Sequence, residues 1–252
     1  MDILYRRNTV LEALRGERRT LRRLWVQQGL PERDLQPIRE AARARGIAVS
    51  EAPKQKLSNL ARDNSHQGVV LEAREYPYSD IYEMLELAQG REERPFFLLL
   101  DLLHGPQNIG TLLRTAEICG VHGVIIQDRR APEITPSIAI HAAGATEHLL
   151  IAQVTNLVET MKSLKEEDVW LVGMDLSAEA QPLAHVDLDM ALGIVVGHEG
   201  QGMRRLVRET CDILLQLPMR GQVESFNAAI AGSILIFEAW QARGFPGAAS
   251  AR

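Results

Sequence analysis

Six near-continuous apolar runs follow Pro95: "FFLLLDLL", "GVIIQD", "HLLIAQV", "VWLVGMDL", "LGIVVG" and "CDILLQLPM". A strand that is apolar at every position has no face to show to water, so it belongs in a sheet covered on both sides. Helical stretches separate the runs, at "NIGTLLRTAEICG", "TNLVETMKSLKEED" and "MRRLVRETC". This alternation predicts a doubly wound, parallel-sheet α/β domain over residues 95–245, with any site at the carboxyl ends of its strands.

The first 74 residues carry shorter elements and predict a small, separate α/β domain. "NTVLEALRG" reads as a helix capped by Asn8 and stopped by Gly16. "LRRLWVQ", "IAVSEA" and "GVVLEAR" read as strands, with helical stretches at "LQPIREAARARG" and "KLSNLARD". Residues 75–94 form a linker and a short helix that places Ile81, Met84, Leu85 and Ala88 on one face. There is no internal repeat, and the tail "GFPGAASAR" is the only low-complexity segment.

Charge is divided unevenly between these parts. Residues 1–74 hold 15 Lys and Arg against 9 Asp and Glu, a net of +6, whereas the whole chain carries −5. A basic end on an acidic chain points to a polyanionic partner docked there, although a solvated helix face gives the same count. No apolar run reaches the roughly 18 residues that a membrane span needs, and the N-terminus lacks a signal-peptide layout. Cys119 and Cys211 have no paired spacing, so neither a disulfide framework nor a metal site is expected. A reducing cytoplasm is the expected compartment.

Three loops at predicted strand ends concentrate polar residues. "DLLHGPQNIGTLLRTAEICG" sets Asp101 in the apolar strand and Asn108 ahead of a helix whose core stripe leaves Arg114 outside. "VVGHEGQGMRRL" places three glycines in six residues around Glu199, which lets main-chain N–H groups approach a ligand closely. "LPMRGQVESFNAAIAG" brings Ser225 and Asn227 to the mouth of a helix rich in small residues. Singly, each residue reads equally as a helix cap, a turn or a surface charge. Three such loops at successive strand ends argue for one site.

Together these motifs resemble the SpoU/TrmH family of ribose 2′-O-methyltransferases, in the family's own order: "PQNIGTLLRTAEICGV", "VVGHEGQGM" and "LPMRGQVESFNAAIA". "RRNTVLEALRG", "LRRLWV" and "SHQGVVLEA" resemble the substrate-binding domain of members that modify large-subunit ribosomal RNA. The resemblance implies an N-terminal RNA-binding domain, a parallel-sheet domain closed by a C-terminal trefoil knot, and a homodimer. It implies S-adenosyl-L-methionine as cofactor, and ribosomal RNA, or alternatively transfer RNA, as substrate. A catalytically silent RNA-binding member is a further alternative.

Residue by residue, Asn108, Arg114, Glu199, Ser225 and Asn227 match the family's polar active-site positions. Gly197, Leu217 and Phe226 match positions whose backbone holds the cofactor, with Met174, Gly200 and Met219 as neighbours. The sequence departs from the family pattern at Gly105, where an acid is usual, and at Phe226 and Ala229 in the third motif. It departs again at Arg6, where a glycine is usual. Two roles are open for Arg114: general base, or a clamp on a substrate phosphate.

Overall fold

The computed structural model describes residues 1–128 and 133–248; the last four residues of the low-complexity tail lie outside them. The chain forms two compact units, one made of Met1–Pro77 with Ile134–His148, the other of Tyr78–Glu133 with Leu149–Arg252.

In the first unit, strands β1 (Asp2–Tyr5), β2 (Leu21–Gln27), β3 (Ala48–Ala52) and β4 (Val69–Ala73) form one sheet in the order β1-β4-β2-β3. β2 and β3 pair parallel, and the other pairs are antiparallel. Helices α1 (Arg7–Arg15), α2 (Glu32–Ala44) and α3 (Lys54–Ala61) accompany the sheet. Leu4, Val10, Leu14, Leu24, Leu35 and Leu71 meet in its core.

The start of α1 differs from expectation. Asn8 lies inside the helix, and the cap position falls to Arg6, whose φ of 71° and ψ of 140° is a conformation suited to glycine. Holding a side chain there costs on the order of 1–3 kcal/mol, against one exposed hydrogen bond from Arg6 Nη2 to Ser65 Oγ. Arg6→Gly is therefore expected to stabilise this unit by about 1 kcal/mol, after the larger unfolded-state entropy of glycine is subtracted. Chemical denaturation followed at Trp25 measures it, and an unchanged or lower stability contradicts the strain.

β1 escaped the sequence pattern because its four residues run into α1 with no turn signal between them. The same unit buries a charge. Arg19 is fully enclosed; its guanidinium donates to Asp2 Oδ2 at 2.5 Å and to Glu147 Oε1 at 3.0 Å. Burial pushes the Glu147 carboxyl up against the pull of Arg19.

The second unit opens with α4 (Ile81–Gly90), held by an Asp80–Glu83 capping box. It continues through β5 (Phe96–Leu100), α5 (Pro106–Ile118) and β6 (Gly123–Gln127). Helix α6 (Pro136–His141) then belongs to the first unit, where Ala139 joins the core. The second unit resumes with β7 (Ile151–Val154), α7 (Leu157–Glu166), β8 (Trp170–Met174), β9 (Gln181–Pro182) and β10 (Leu192–Val196). It ends with α8 (Arg205–Thr210), β11 (Ile213–Gln216) and α9 (Ala228–Ala242).

Its seven strands run in the order β7-β6-β5-β10-β8-β11-β9, and every pair is parallel. β5, β6 and β10 are buried at every position, which is what their unbroken apolar runs demand. β10 lies between β5 and β8 although it follows β8 in the chain. The carboxyl ends of β5, β10, β8 and β11 therefore stand side by side. All three polar loops emerge there, as expected for an open α/β sheet.

Gly232 and Ser233 of α9 serve packing within the chain. A Cβ on Gly232 would lie 2.7 Å from Leu112 Cδ2 and 3.0 Å from Val196 Cγ2, so glycine lets α9 settle onto α5 and β10. Thr115 Oγ1 and Ser233 Oγ close the same contact at 3.0 Å.

Candidate active site

The glycine loop after β10 is fixed from both ends. His198 and Gly202 pair main chain to main chain, with N to O distances of 3.0 and 2.9 Å, and Gly200 and Gly202 adopt φ of 85° and 68°. Gly197 faces the closed turn: a Cβ there would lie 2.4 Å from the Gly202 carbonyl carbon and the Met203 nitrogen. Asp101, the first residue past β5, is fully buried and receives the Arg204 N–H at 2.8 Å and its Nε at 2.7 Å. Arg204 also donates to Gln127 Oε1 at 3.0 Å. A carboxylate at the end of an apolar strand thus pins the far side of the loop.

Three predicted residues form one hydrogen-bonded chain. Asn108 Nδ2 donates to Glu199 Oε1, and Asn227 Nδ2 donates to Asn108 Oδ1 at 3.3 Å. Asn227 Oδ1 accepts from the N–H groups of Ala229 and Ile230 at 2.9 and 3.2 Å, which caps α9. Asn108 is the third residue of α5, whose cap is Gly105, so its amide is free to bridge the other two loops. A Cβ on Gly105 would stand 3.5 Å from Glu199 Oε1. An acidic side chain starting there would meet the Glu199 carboxylate, and glycine spares the site that repulsion.

Beside this chain lies a cavity of about 680 Å³. Gly197, Gly200, Met174, Leu217, Met219, Ser225 and Phe226, all predicted from sequence, line it together with Glu199 and Asn227. The walls combine thioether and hydrocarbon side chains, main-chain groups of the glycine loop, the carboxylate of Glu199, and an Asp175 carboxylate already paired with Arg208. That set fits a ligand with an apolar sulfonium portion and a polar nucleoside portion. The Glu199 carboxylate favours the positive charge, and the loop amides can meet the sugar and base. S-adenosylmethionine has those parts, so the residues present fit the cofactor that the motifs imply.

The structure does not bring Arg114 to this cavity. It is exposed on α5, six residues or about 9 Å of helix rise beyond Asn108, and it makes no hydrogen bond or ion pair among the described residues. Nor is Ser225 a helix cap; it stands in the exposed strand-to-helix loop two residues before the Asn227 cap.

Among the lining residues that sequence reasoning missed are Asp175, His198 and Arg208. Asp175 follows β8 as Asp101 follows β5, and that shared placement was the available signal. Its burial raises its carboxyl, but the Ser177 N–H and the Arg208 guanidinium outweigh this and hold it below its ordinary value. Arg208 donates to Asp175 at 2.5 Å and to Ser177 Oγ at 2.9 Å, fixing that wall. His198 packs edge-on to His104, ring centroids 5.8 Å apart, and its Nδ1 is buried without a hydrogen-bond partner among the described residues. No three His, Cys, Asp or Glu side chains among the described residues are grouped as a metal site, and no described helix is long and apolar enough to cross a membrane.

Residues 95–237 match the SpoU rRNA Methylase family, and residues 3–79 match the domain described as RNA 2′-O ribose methyltransferase substrate binding. The chain is 39% identical over 242 residues to YacO of Bacillus subtilis (strain 168), named for the TrmH family of tRNA/rRNA methyltransferases; the match covers 96% of each. A TrmH-family relative from Staphylococcus haemolyticus is 36% identical over 241 residues, again covering 96% of each. Among solved structures, the SpoU methyltransferase AviRb of Streptomyces viridochromogenes, in complex with the cofactor AdoMet, superposes with a TM-score of 0.78 at 22% identity. That match covers 96% of this chain and 90% of the other.

Proposed function

The chain belongs to the SpoU methylase family of RNA methyltransferases, and from that premise we propose that it methylates a ribose 2′-hydroxyl in structured RNA, a guanosine of 23S ribosomal RNA. The observation that carries this reading is the Glu199–Asn108–Asn227 chain, which ties three loops together at the rim of one cavity.

Members of the family use S-adenosylmethionine, which supplies an electrophilic methyl on a sulfonium. Gly197 and Gly200 present the loop main chain to it, while Leu217, Met219, Met174 and Phe226 enclose its apolar parts. Ser225 and Asn227 hold the acceptor sugar, and the Asn108–Glu199 pair fixes Asn227. In the transfer a C–O bond would form as the sulfonium C–S bond breaks to leave a neutral thioether, so the donor's positive charge and the oxygen's developing negative charge would cancel. Such a site contributes mainly by positioning and by excluding water.

Arg114 acts as a clamp on a substrate phosphate. A guanidinium stays protonated at neutral pH, and this one stands exposed and unpaired among the described residues, able to meet an anion. Water, directly or through Ser225 as a relay, then carries the hydroxyl proton away to solvent. Arg114→Lys is expected to recover part of the rate lost in Arg114→Ala, with S-adenosylmethionine affinity unchanged in both and no new limb in the pH–rate profile. Full activity in Arg114→Ala removes the residue from the mechanism.

Residues 1–74 dock the RNA in this reading and residues 95–245 carry out transfer; of residues 75–94, expected as a linker and short helix, those from Tyr78 onward pack with the transfer unit, and Ile134–His148 packs with the docking unit. The protein acts as a cytoplasmic homodimer. α9 supports that assembly by leaving Ile230 and Phe237, seven residues apart on one face, exposed. A monomer at micromolar concentration with full activity contradicts it. Transfer RNA is the alternative substrate. Mapping 2′-O-methyl positions with and without the protein decides between them: a protein-dependent guanosine in 23S RNA is expected, and a site found only in transfer RNA moves the assignment there.

A further inference from the structure

A second cavity, of about 570 Å³, lies wholly within the first unit, where the starts of α1 and α3, the end of β2 and the loop before β4 meet. We infer that it holds one unstacked nucleotide of the RNA, its base edge read by carboxamides and its phosphate met by Lys54. This rests on the RNA reading above and adds a contact point remote in sequence from the methyl-transfer loops.

The lining carries the inference. Four carboxamides, Asn8, Gln27, Asn64 and Gln67, share it with the cations Arg7 and Lys54, and no carboxylate lines it. A carboxamide offers both a donor and an acceptor, the pairing that a nucleobase edge presents. The side chains of Asn8, Gln27, Lys54 and Asn64 have no hydrogen bond or ion pair among the described residues, so their capacity is unspent. Leu30 supplies an apolar surface for a base. The volume falls in the range of small-ligand pockets, about 300–1,000 Å³, and the cavity is open, leaving room for the chain to enter and leave. A net charge of +6 over residues 1–74 favours a polyanion over a neutral ligand.

The cavity is also preorganised. Gln67 Oε1 accepts from the Arg7 N–H at 3.0 Å, and Arg7 Nε donates to the Gln67 carbonyl at 3.2 Å. Arg7 also pairs with Asp34 at 3.5 Å, which makes it a wall, whereas Lys54 has no ion pair among the described residues. His66 is buried beneath: its Nδ1 accepts from the Gly68 N–H at 3.0 Å, so Nε2 carries the proton toward Ser58 Oγ, 3.2 Å away. Burial holds its ring below the usual histidine range. Gln67 and Gly68 both adopt positive φ, and a Cβ on Gly68 would lie 2.1 Å from Leu30 Cδ1. The rim is thus set before any ligand arrives, which lowers the ordering cost of binding.

The test titrates the full chain, saturated with S-adenosylhomocysteine to fill the other cavity, with each 5′-mononucleotide and separately with inorganic phosphate. Amide resonances of Gln67 and Gly68 are followed by NMR. Mononucleotides are expected to shift them saturably and more tightly than phosphate, and Asn8→Ala with Asn64→Ala is expected to weaken the response about tenfold. The same double variant should raise the KM for RNA about tenfold with kcat retained. No shift, an equal response to phosphate alone, or an unchanged KM overturns the inference. Absence of methyl transfer by the parent chain counts against the proposed reaction instead, since the titration stands without it.

Discussion

Gly197→Ala is expected to weaken S-adenosylmethionine binding at least about a hundredfold, roughly 2.8 kcal/mol, with RNA affinity nearly unchanged. The reason is local and steric. The added methyl would sit 2.4 Å from two main-chain atoms of the Gly202–Met203 peptide, which cannot rotate away as a side chain would. Accommodation requires opening the His198–Gly202 bridge, and that bridge shapes the wall of the cavity. The far end of the loop is held by Asp101 through Arg204, so the displacement falls on the turn itself. Isothermal titration with cofactor, beside an RNA-binding measurement on the same preparation, reads both halves. Cofactor affinity within about threefold of the parent, a difference of about 0.6 kcal/mol, would show that this turn does not form the cofactor wall.

The second large effect concerns the first unit. Arg19→Ala is expected to cost about 3–5 kcal/mol there, because it strands the carboxylate of Glu147, which is only 2% exposed. It also removes a pair to Asp2, a hydrogen bond to the Arg74 carbonyl and a cation stacked 5.0 Å from the Tyr76 ring centre. The Glu147 carboxyl already stands above its ordinary value through burial, and losing Arg19 raises it further. A folded pKa above the unfolded one means the folded state holds its proton more tightly. Stability from this group is then fully present below the unfolded value and falls as pH rises through the folded one. The variant should therefore be weakest at neutral pH and recover in mild acid, and adding Glu147→Gln should restore much of the loss at pH 7. Hydrogen exchange of the β1 amides measures this unit separately from the other. A cost below about 1 kcal/mol at neutral pH would place the pair among those whose attraction merely offsets desolvation.

The parallel sheet was legible because its strands are buried on both faces and so cannot alternate; β5, β6 and β10 fall inside the apolar runs read from sequence. Loop positions were legible for the same reason, since strand ends in an open α/β sheet are where polar residues gather. Roles within the loops were less so. Asn108 and Asn227 carry the same side chain at two helix starts, yet only Asn227 caps, because Gly105 and Pro106 begin α5 before Asn108 is reached. Pattern alone could not place Ile134–His148: its helix has six residues, too short for a periodic signal, and its packing partners lie in the first 77 residues, far earlier in the chain. The small residues of α9 were ambiguous for a different reason. A small-residue face says that something approaches closely without saying what, and here Leu112 and Val196 fill it.

The central claim is that three loops make one site for methyl transfer to a ribose hydroxyl. The most direct measurement supplies the full chain with S-adenosylmethionine labelled in its methyl group and a 23S ribosomal RNA fragment, then digests the product with alkali. A methylated 2′-oxygen cannot attack its neighbouring phosphate, so the account predicts label in an alkali-resistant dinucleotide, and loss of that label in Asn108→Ala and Asn227→Ala. Label released with single nucleotides, as a methylated base would give, or undiminished transfer in both variants, would contradict it.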